Sequence, residues 1–347
     1  MKKIKYKIFL LIYILFTTSV FANQYFEYYP TKNWITKKPS KLGWSEKKLE
    51  FAKKYFKKID TTAVIVIDNG YILAEWGDTK RRVNCHSIRK SFLSALIGIY
   101  EKEDKINLSS TLEELKIDDI QKLTYIEKQA KVSDLLKARS GVYHPAAYET
   151  KSMKKRRPMR GSHLPNTFYY YNNWDFNTLG TIFEQKTSEK IFVAFDNKIA
   201  TPIGMNDFSA SNGTYRKEKI SLHPAYEFRM SARDRARFGL LYLRDGKWKN
   251  QQIIPKEWIN NSITPYSQVS KGIGYGYMWW TSTGRWHLGN KIKGHAYSAR
   301  GYWGQYIVVM PEENLVVVQV SDKKNGDKNG HGKKFNKLLK LILDAKN

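Results

Sequence analysis

The sequence predicts an α+β protein: one antiparallel sheet assembled from the two ends of the chain, flanked by terminal helices, with an all-helical lobe inserted between them. Three observations carry this. Apolar, β-branched runs lie at 61–67 and 71–75 near the amino end, and again at 305–310 and 314–320 near the carboxyl end. Between about 108 and 208 the apolar residues recur at helical rather than alternating spacing. Helical stripes at 45–56 and 333–343 bracket the strands.

Taken in order, Lys2, Lys3, Lys5 and Lys7 precede an apolar run from Ile8 to Phe16, and Val20-Phe21-Ala22 ends it in a small-x-small pattern. This is the layout of a cleaved export signal over residues 1–22, and the run is shorter than the roughly 20 apolar residues that span a bilayer. A periplasmic or secreted protein without a stable membrane anchor is expected. Ser45 caps a helix through Phe56, whose stripe is Leu49, Phe51, Ala52, Tyr55 and Phe56. Thr61–Ile67, the turn Asp68-Asn69-Gly70 and Tyr71–Glu75 read as a hairpin. Ser87–Lys102 carries Phe92, Leu93, Leu96, Ile97 and Tyr100 at helical spacing, a buried helix with Ser87 at its amino end.

Breaks at Ser140-Gly141, Pro145, Pro158, Pro165 and Pro202-Ile203-Gly204 punctuate the helical middle. Ser231–Leu243 is a capped helix, and Pro311-Glu312-Glu313 joins the last two strands. The expected organisation is therefore a leader, 1–22, and one domain, 23–347. An α/β lobe takes about 45–107 and 225–347, a helical lobe takes about 108–224, and a groove lies between them.

A chain that is 41% hydrophobic and 14% aromatic can build a large core, which excludes disorder for most of its length. The single cysteine, Cys85, rules out an intramolecular disulfide and a thiolate zinc cluster, and the seven histidines show no His-Glu-x-x-His spacing. No metal and no cofactor are expected. The net charge is +28, but the lysines are scattered through every segment, so nucleic acid is not the expected partner. An anionic envelope polymer is a candidate partner beside the plainer reading of a lysine-rich composition.

Ser87-Ile88-Arg89-Lys90 places a hydroxyl and an amine three residues apart, on one face of a helix. A serine hydroxyl needs a base to become a nucleophile, and a lysine serves only when burial or neighbouring positive charge lowers its pKa from about 10.4. The helix start and the apolar residues that follow supply both conditions. Alone, Ser-x-x-Lys recurs by chance in a lysine-rich chain. Tyr171-Asn172-Asn173 at the start of a further helix adds a proton relay and an amide that can bind a substrate carbonyl. Ser298–Tyr306 adds a strand in which Gly301 lets a substrate approach the backbone. The backbone N–H of Tyr302 can pair with that of Ser87 as an oxyanion hole.

With these spacings the chain resembles the serine β-lactamase, penicillin-binding carboxypeptidase and esterase superfamily, above all its class C-like branch; the Ser-x-x-Lys signature itself is a known motif. The resemblance runs from about Thr61 to Val320. It rests on His86–Phe92, on Val132-Ser133-Asp134-Leu135-Leu136 with Ser140-Gly141-Val142, on Tyr171–Gly180, on Pro202-Ile203-Gly204-Met205, and on Ser231-Ala232-Arg233-Asp234 with Arg237-Phe238-Gly239. It implies the β-lactamase/transpeptidase-like fold. Ser87 is then the acylated nucleophile, Lys90 its base or hydrogen-bond partner, Tyr171 the proton relay and Asn173 a substrate anchor, and the substrate is a small ester or amide.

One departure matters. Where the family usually has Lys-Thr-Gly or His-x-Gly, this chain has Ala299-Arg300-Gly301. The cation that normally holds a substrate carboxylate is missing from the first position, and Arg300 and His295 are the candidates to replace it. The departure weighs against β-lactamase or D-alanyl-D-alanine carboxypeptidase activity and towards ester or linear-amide hydrolysis, including a resemblance to 6-aminohexanoate-oligomer hydrolases. A non-catalytic envelope-binding member of the same fold is the non-enzyme alternative, against which the retained Ser, Lys, Tyr and Asn argue. Lys151, Lys154, Lys155, Arg156, Arg157 and Arg160 form a basic segment expected to border the groove and attract anions.

Overall fold

Strands that are apolar on both faces must be covered on both, and this requirement sets the layering. The computed structural model describes residues 28–322 and 331–347; the expected leader lies outside the described residues. The elements used below are α1 (Glu46–Phe56), β1 (Ala63–Asp68), β2 (Tyr71–Gly77), β3 (Val83–Asn84), α2 (Arg89–Lys102), α3 (Asn173–Thr187), β4 (Gly213–Arg216), β5 (Ala225–Met230), α4 (Ala232–Leu243), β6 (Ser267–Ser270), β7 (Ile273–Tyr275), β8 (Trp280–Ser282), β9 (Tyr297–Gly301), β10 (Gln305–Met310), β11 (Leu315–Val320) and α5 (His331–Leu343).

Eight strands form one antiparallel sheet in the order β2-β1-β11-β10-β9-β8-β7-β6. The first and last long strands are neighbours, with Ala63 opposite Val320 and Asp68 opposite Leu315, so the two chain ends close the sheet on each other. Asn69 and Gly70 turn the first hairpin with φ of 51° and 85°, the left-handed pair a tight turn requires. Ser45 caps α1 by accepting from the Lys48 N–H at 3.3 Å.

Alternate residues of the central strands enter two separate clusters. Val64, Val66, Val308, Met310, Leu315 and Val317 pack with α1 and with Phe335, Leu338, Leu339 and Ile342 of α5. Ile65, Ile67, Ile307, Val309, Val316 and Val318 pack with α2, α4 and the helical middle. The result is an α+β fold of three layers, with α2 at its centre. Helices and loops prevail from 108 until β4, which pairs with β5 in a separate three-stranded sheet, β3-β5-β4. Strands β6–β8 were not anticipated: they are three or four residues long and interrupted by glycine and polar residues, so no run announces them.

Candidate active site

Ser87 is delivered by a sharp turn. The Cys85 N–H binds the Phe228 carbonyl at 2.8 Å, fixing the chain beside β5, and His86 then adopts φ of 48°. That left-handed value at a non-glycine residue is a locally costly conformation immediately before the nucleophile candidate. His86–Ile88 form a 3₁₀ turn that runs into α2. Every residue of α2 from Arg89 to Tyr100 is buried, so Lys90 is carried into the interior whatever its charge prefers.

Lys90 Nζ lies 2.8 Å from Ser87 Oγ. It also sits 4.8 Å from the ring centroid of Tyr171 and 4.9 Å from that of Phe176. Burial, reinforced by Arg89, holds the Lys90 amine well below its ordinary range. This favours the neutral amine, the only form able to take a proton from Ser87.

Tyr171 arrives at the start of α3. Asn172 caps that helix, accepting from the Trp174 N–H at 3.1 Å while its amide donates to the Val142 carbonyl at 2.6 Å and to Asp175 Oδ1 at 2.8 Å. Ser140 Oγ donates to the same Asp175 oxygen at 2.6 Å. The Ser140-Gly141-Val142 segment is thus tied to the helix start, which explains why the two motifs occur together. The Tyr171 hydroxyl is within hydrogen-bonding reach of Ser87, and burial pushes its pKa up to about 12. Its ring is wedged between Phe176, Tyr275 and Trp280.

Asn173 is used differently from the expectation. Its amide N–H donates to the Tyr148 carbonyl at 2.7 Å, and its buried Oδ1 has no protein partner, so it offers an acceptor rather than a donor.

On the strand side, Gly301 packs against the turn that carries Ser87: a Cβ built there would stand 2.5 Å from the Cys85 carbonyl oxygen. No side chain fits, and the Tyr302 backbone is thereby held next to Ser87. Arg300 reaches the same cavity, its guanidinium 4.9 Å from the Trp280 ring and its Nε donating to Ser298 Oγ at 2.9 Å. Burial lowers the Arg300 pKa to about 10, and its Nη2 has no protein partner. His295 instead lies 3.3 Å from Thr281 Oγ1 and 3.2 Å from Ser282 Oγ, and Ala299 is packed in the core. Of the two candidate replacement cations, only Arg300 lines the Ser87 cavity.

That cavity, about 520 Å³, is walled mainly by Met153, Phe168, Tyr169, Tyr170, Tyr171, Val269 and Trp280. A second cavity of about 400 Å³ also opens on Ser87 and is lined by Tyr148, Glu149, Asn173, Arg216, Glu218 and Glu227. Sequence reasoning missed its glutamates because nothing in their spacing marks them; only the fold of the 146–150 loop and β4–β5 assembles them. Phe168 to Tyr171 are all aromatic, yet Phe168 is exposed and the run forms the wall of the first cavity. The basic segment splits: Arg157 pairs with Glu149, Arg160 with Glu127 at 2.6 Å, Arg156 lines the first cavity, and Lys151, Lys154 and Lys155 are exposed.

The three-layer fold thus brings Ser87, the buried Lys90, Tyr171 and the end of β9 together at one place. The family model described as Beta-lactamase matches residues 51–341, and the chain belongs to that family. No curated protein matches the sequence. Among solved structures it is similar to a Bacillus anthracis protein assigned as a 6-aminohexanoate-dimer hydrolase (19% identity, TM-score 0.63, covering 89% of this chain and 87% of that one). It is also similar to the octameric penicillin-binding protein homologue of Pyrococcus abyssi (20%, 0.62, 88% and 77%) and to a β-lactamase from Mycobacterium bovis (17%, 0.57, 84% and 99%). At these identities the likeness is one of fold.

Proposed function

We propose that this β-lactamase-family protein is an exported serine hydrolase that cleaves a small ester or amide through an acyl-enzyme on Ser87. The observation that carries the reading is the 2.8 Å contact between Ser87 Oγ and a buried Lys90 whose pKa burial and Arg89 hold well below the ordinary lysine range.

Ser87 Oγ attacks the substrate carbonyl carbon and gives its proton to Lys90 Nζ. The oxyanion develops where the Ser87 and Tyr302 backbone N–H groups and the positive end of α2 converge. On collapse the bond to the leaving group breaks, and Tyr171 protonates the departing oxygen or nitrogen while Lys90 returns the proton to Tyr171. Water then attacks the Ser87 ester, gives a proton to the same pair, and releases the acid with the Ser87 hydroxyl restored.

Arg300 is the cation available to a substrate carboxylate. Because it enters from the position after Ala299, a bicyclic β-lactam or a D-alanyl terminus meets it in a different place from the usual lysine. This favours linear esters and amides. Export rests on the leader motif and makes the periplasm or the medium the site of action; Lys151, Lys154, Lys155 and Arg156 offer an anionic envelope polymer a surface beside the entrance.

A fluorophosphonate probe tests the reading. Wild type is expected to take one phosphonyl group and Ser87→Ala none; equal labelling of both would overturn it. Turnover of nitrocefin, short-chain p-nitrophenyl esters, D-alanyl-D-alanine peptides and 6-aminohexanoate dimer then ranks the substrate classes.

A further inference from the structure

Ser87 stands where two cavities of opposite character meet. Thr150, Met153 and Tyr302 line both and form the divide between them. The first is aromatic and carries the guanidiniums of Arg156 and Arg300. The second is acceptor-rich. Glu227 receives the Asn84 amide at 2.6 Å and faces Arg216 at 3.7 Å; Glu218 receives the Tyr148 N–H at 3.0 Å and Arg216 Nε at 3.2 Å.

Two buried acceptors on its wall have no donor. They are Asn173 Oδ1 and Oε1 of Glu149, whose side chain is wholly inaccessible. A buried acceptor without a donor costs about 1–3 kcal/mol, which a ligand N–H recovers on binding. Three carboxylates line this cavity against the guanidinium of Arg216, with Arg157 behind Glu149, so a donor that carries positive charge is preferred to a neutral one. Arg89, a further buried cation, donates to Asn177 at 2.8 Å and lies over Tyr226; its Nε and Nη1 have no protein partner, and it lines neither cavity.

The proton carrier sets the direction of the substrate. Tyr171 lines the aromatic cavity and not the acceptor-rich one. A leaving group must lie within hydrogen-bond reach of the acid that protonates it, so it departs into the aromatic cavity. The acyl part then occupies the acceptor-rich cavity.

We infer that the substrates are esters or amides of ammonium-bearing carboxylic acids with an apolar or aromatic leaving group: the ammonium is held by Asn173 Oδ1, Glu218 and Glu227, and the leaving group by the Phe168–Tyr171 wall and Trp280. This rests on the acyl-enzyme reading above.

The test uses three p-nitrophenyl alkylphosphonates of equal chain length, ending in a methyl, an ammonium and a carboxylate group. Ser87 Oγ bonds to phosphorus, p-nitrophenolate leaves, and the Ser87 proton passes to Lys90. Rates are followed by p-nitrophenolate release and the site by mass spectrometry. The ammonium probe is expected to react at least 10-fold faster than the methyl probe and the carboxylate probe more slowly than either. In Glu218→Gln/Glu227→Gln the ammonium-to-methyl ratio should fall to within about 2-fold of unity. Because the ratio is taken within one preparation, it does not depend on the fraction that folds. Ser87 labelled with no ammonium preference, or a preference unchanged in the double variant, overturns this inference alone. Failure of all three probes to modify Ser87 overturns the acyl-enzyme reading beneath it.

Discussion

In β1, β10 and β11 every residue is buried and alternate side chains enter two apolar clusters, whereas the end of β9, on the same sheet, is only partly buried at Arg300 and Gly301 beside Ser87. The central strands are held by hydrocarbon area, which is non-directional and tolerates changes that conserve volume. Around Ser87 local rules are broken together: a left-handed His86, a buried Lys90, and buried polar atoms of Asn173 and Arg300 without partners. Such features cost stability one by one and persist where the surrounding structure over-determines them. The centre supplies stability, and the rim uses it.

Removing chemistry at the rim should therefore leave the fold intact. Lys90→Met keeps the buried volume and removes the base; the rate of fluorophosphonate labelling should fall about 10³-fold, with the thermal midpoint unchanged or raised because a desolvated amine is gone. Loss of the midpoint with normal labelling of the folded fraction would erase the distinction between the two regions.

The converse change is Ile65→Ala at the centre. It should cost about 3 kcal/mol in denaturant unfolding, while labelling per folded molecule stays within about 2-fold.

Gly301→Val probes the seam between them. Its Cβ would press on the Cys85 carbonyl oxygen, push β9 from the turn that holds Ser87, and slow labelling about 10²-fold.

The pH profile sharpens the same contrast. Lys90 must be neutral to accept the proton, so the labelling rate should rise with pH through a pKa displaced below the usual lysine value and level off well under pH 10.4. Tyr171, with its pKa near 12, stays protonated across that plateau. Lys90→Met should remove the rising limb; a limb that survives belongs to another group. The smallest effect is expected from Lys151→Gln/Lys154→Gln/Lys155→Gln, which should lower the salt sensitivity of reaction with an anionic ester only a few-fold, as read from kcat/KM at low and high ionic strength.

The same contrast decides what could be read from the chain. Gln305–Met310, the hairpin at Asn69-Gly70 and the Ser45 and Ser231 caps are local signals, and the strands and helices lie where those signals place them. Ser87, Lys90 and Tyr171 were legible because Ser-x-x-Lys needs only one helix and Tyr-x-Asn one helix start. The acceptor-rich cavity was not, since Glu149, Glu218 and Glu227 come from separate loops and strands and share no period. Nor could residue type reveal that Arg300 lines the Ser87 cavity while His295 turns to Thr281 and Ser282: that depends on how the end of β9 and the loop before it are placed in the fold.

The central claim is a covalent bond to Ser87. Wild-type protein mixed with a short-chain p-nitrophenyl ester, quenched in acid within the first turnover and examined by intact and peptide mass spectrometry, should carry one acyl group on the peptide containing Ser87, and Ser87→Ala should carry none and release no p-nitrophenol above background. An acyl group on another residue, or turnover by Ser87→Ala at the wild-type rate, would contradict the account.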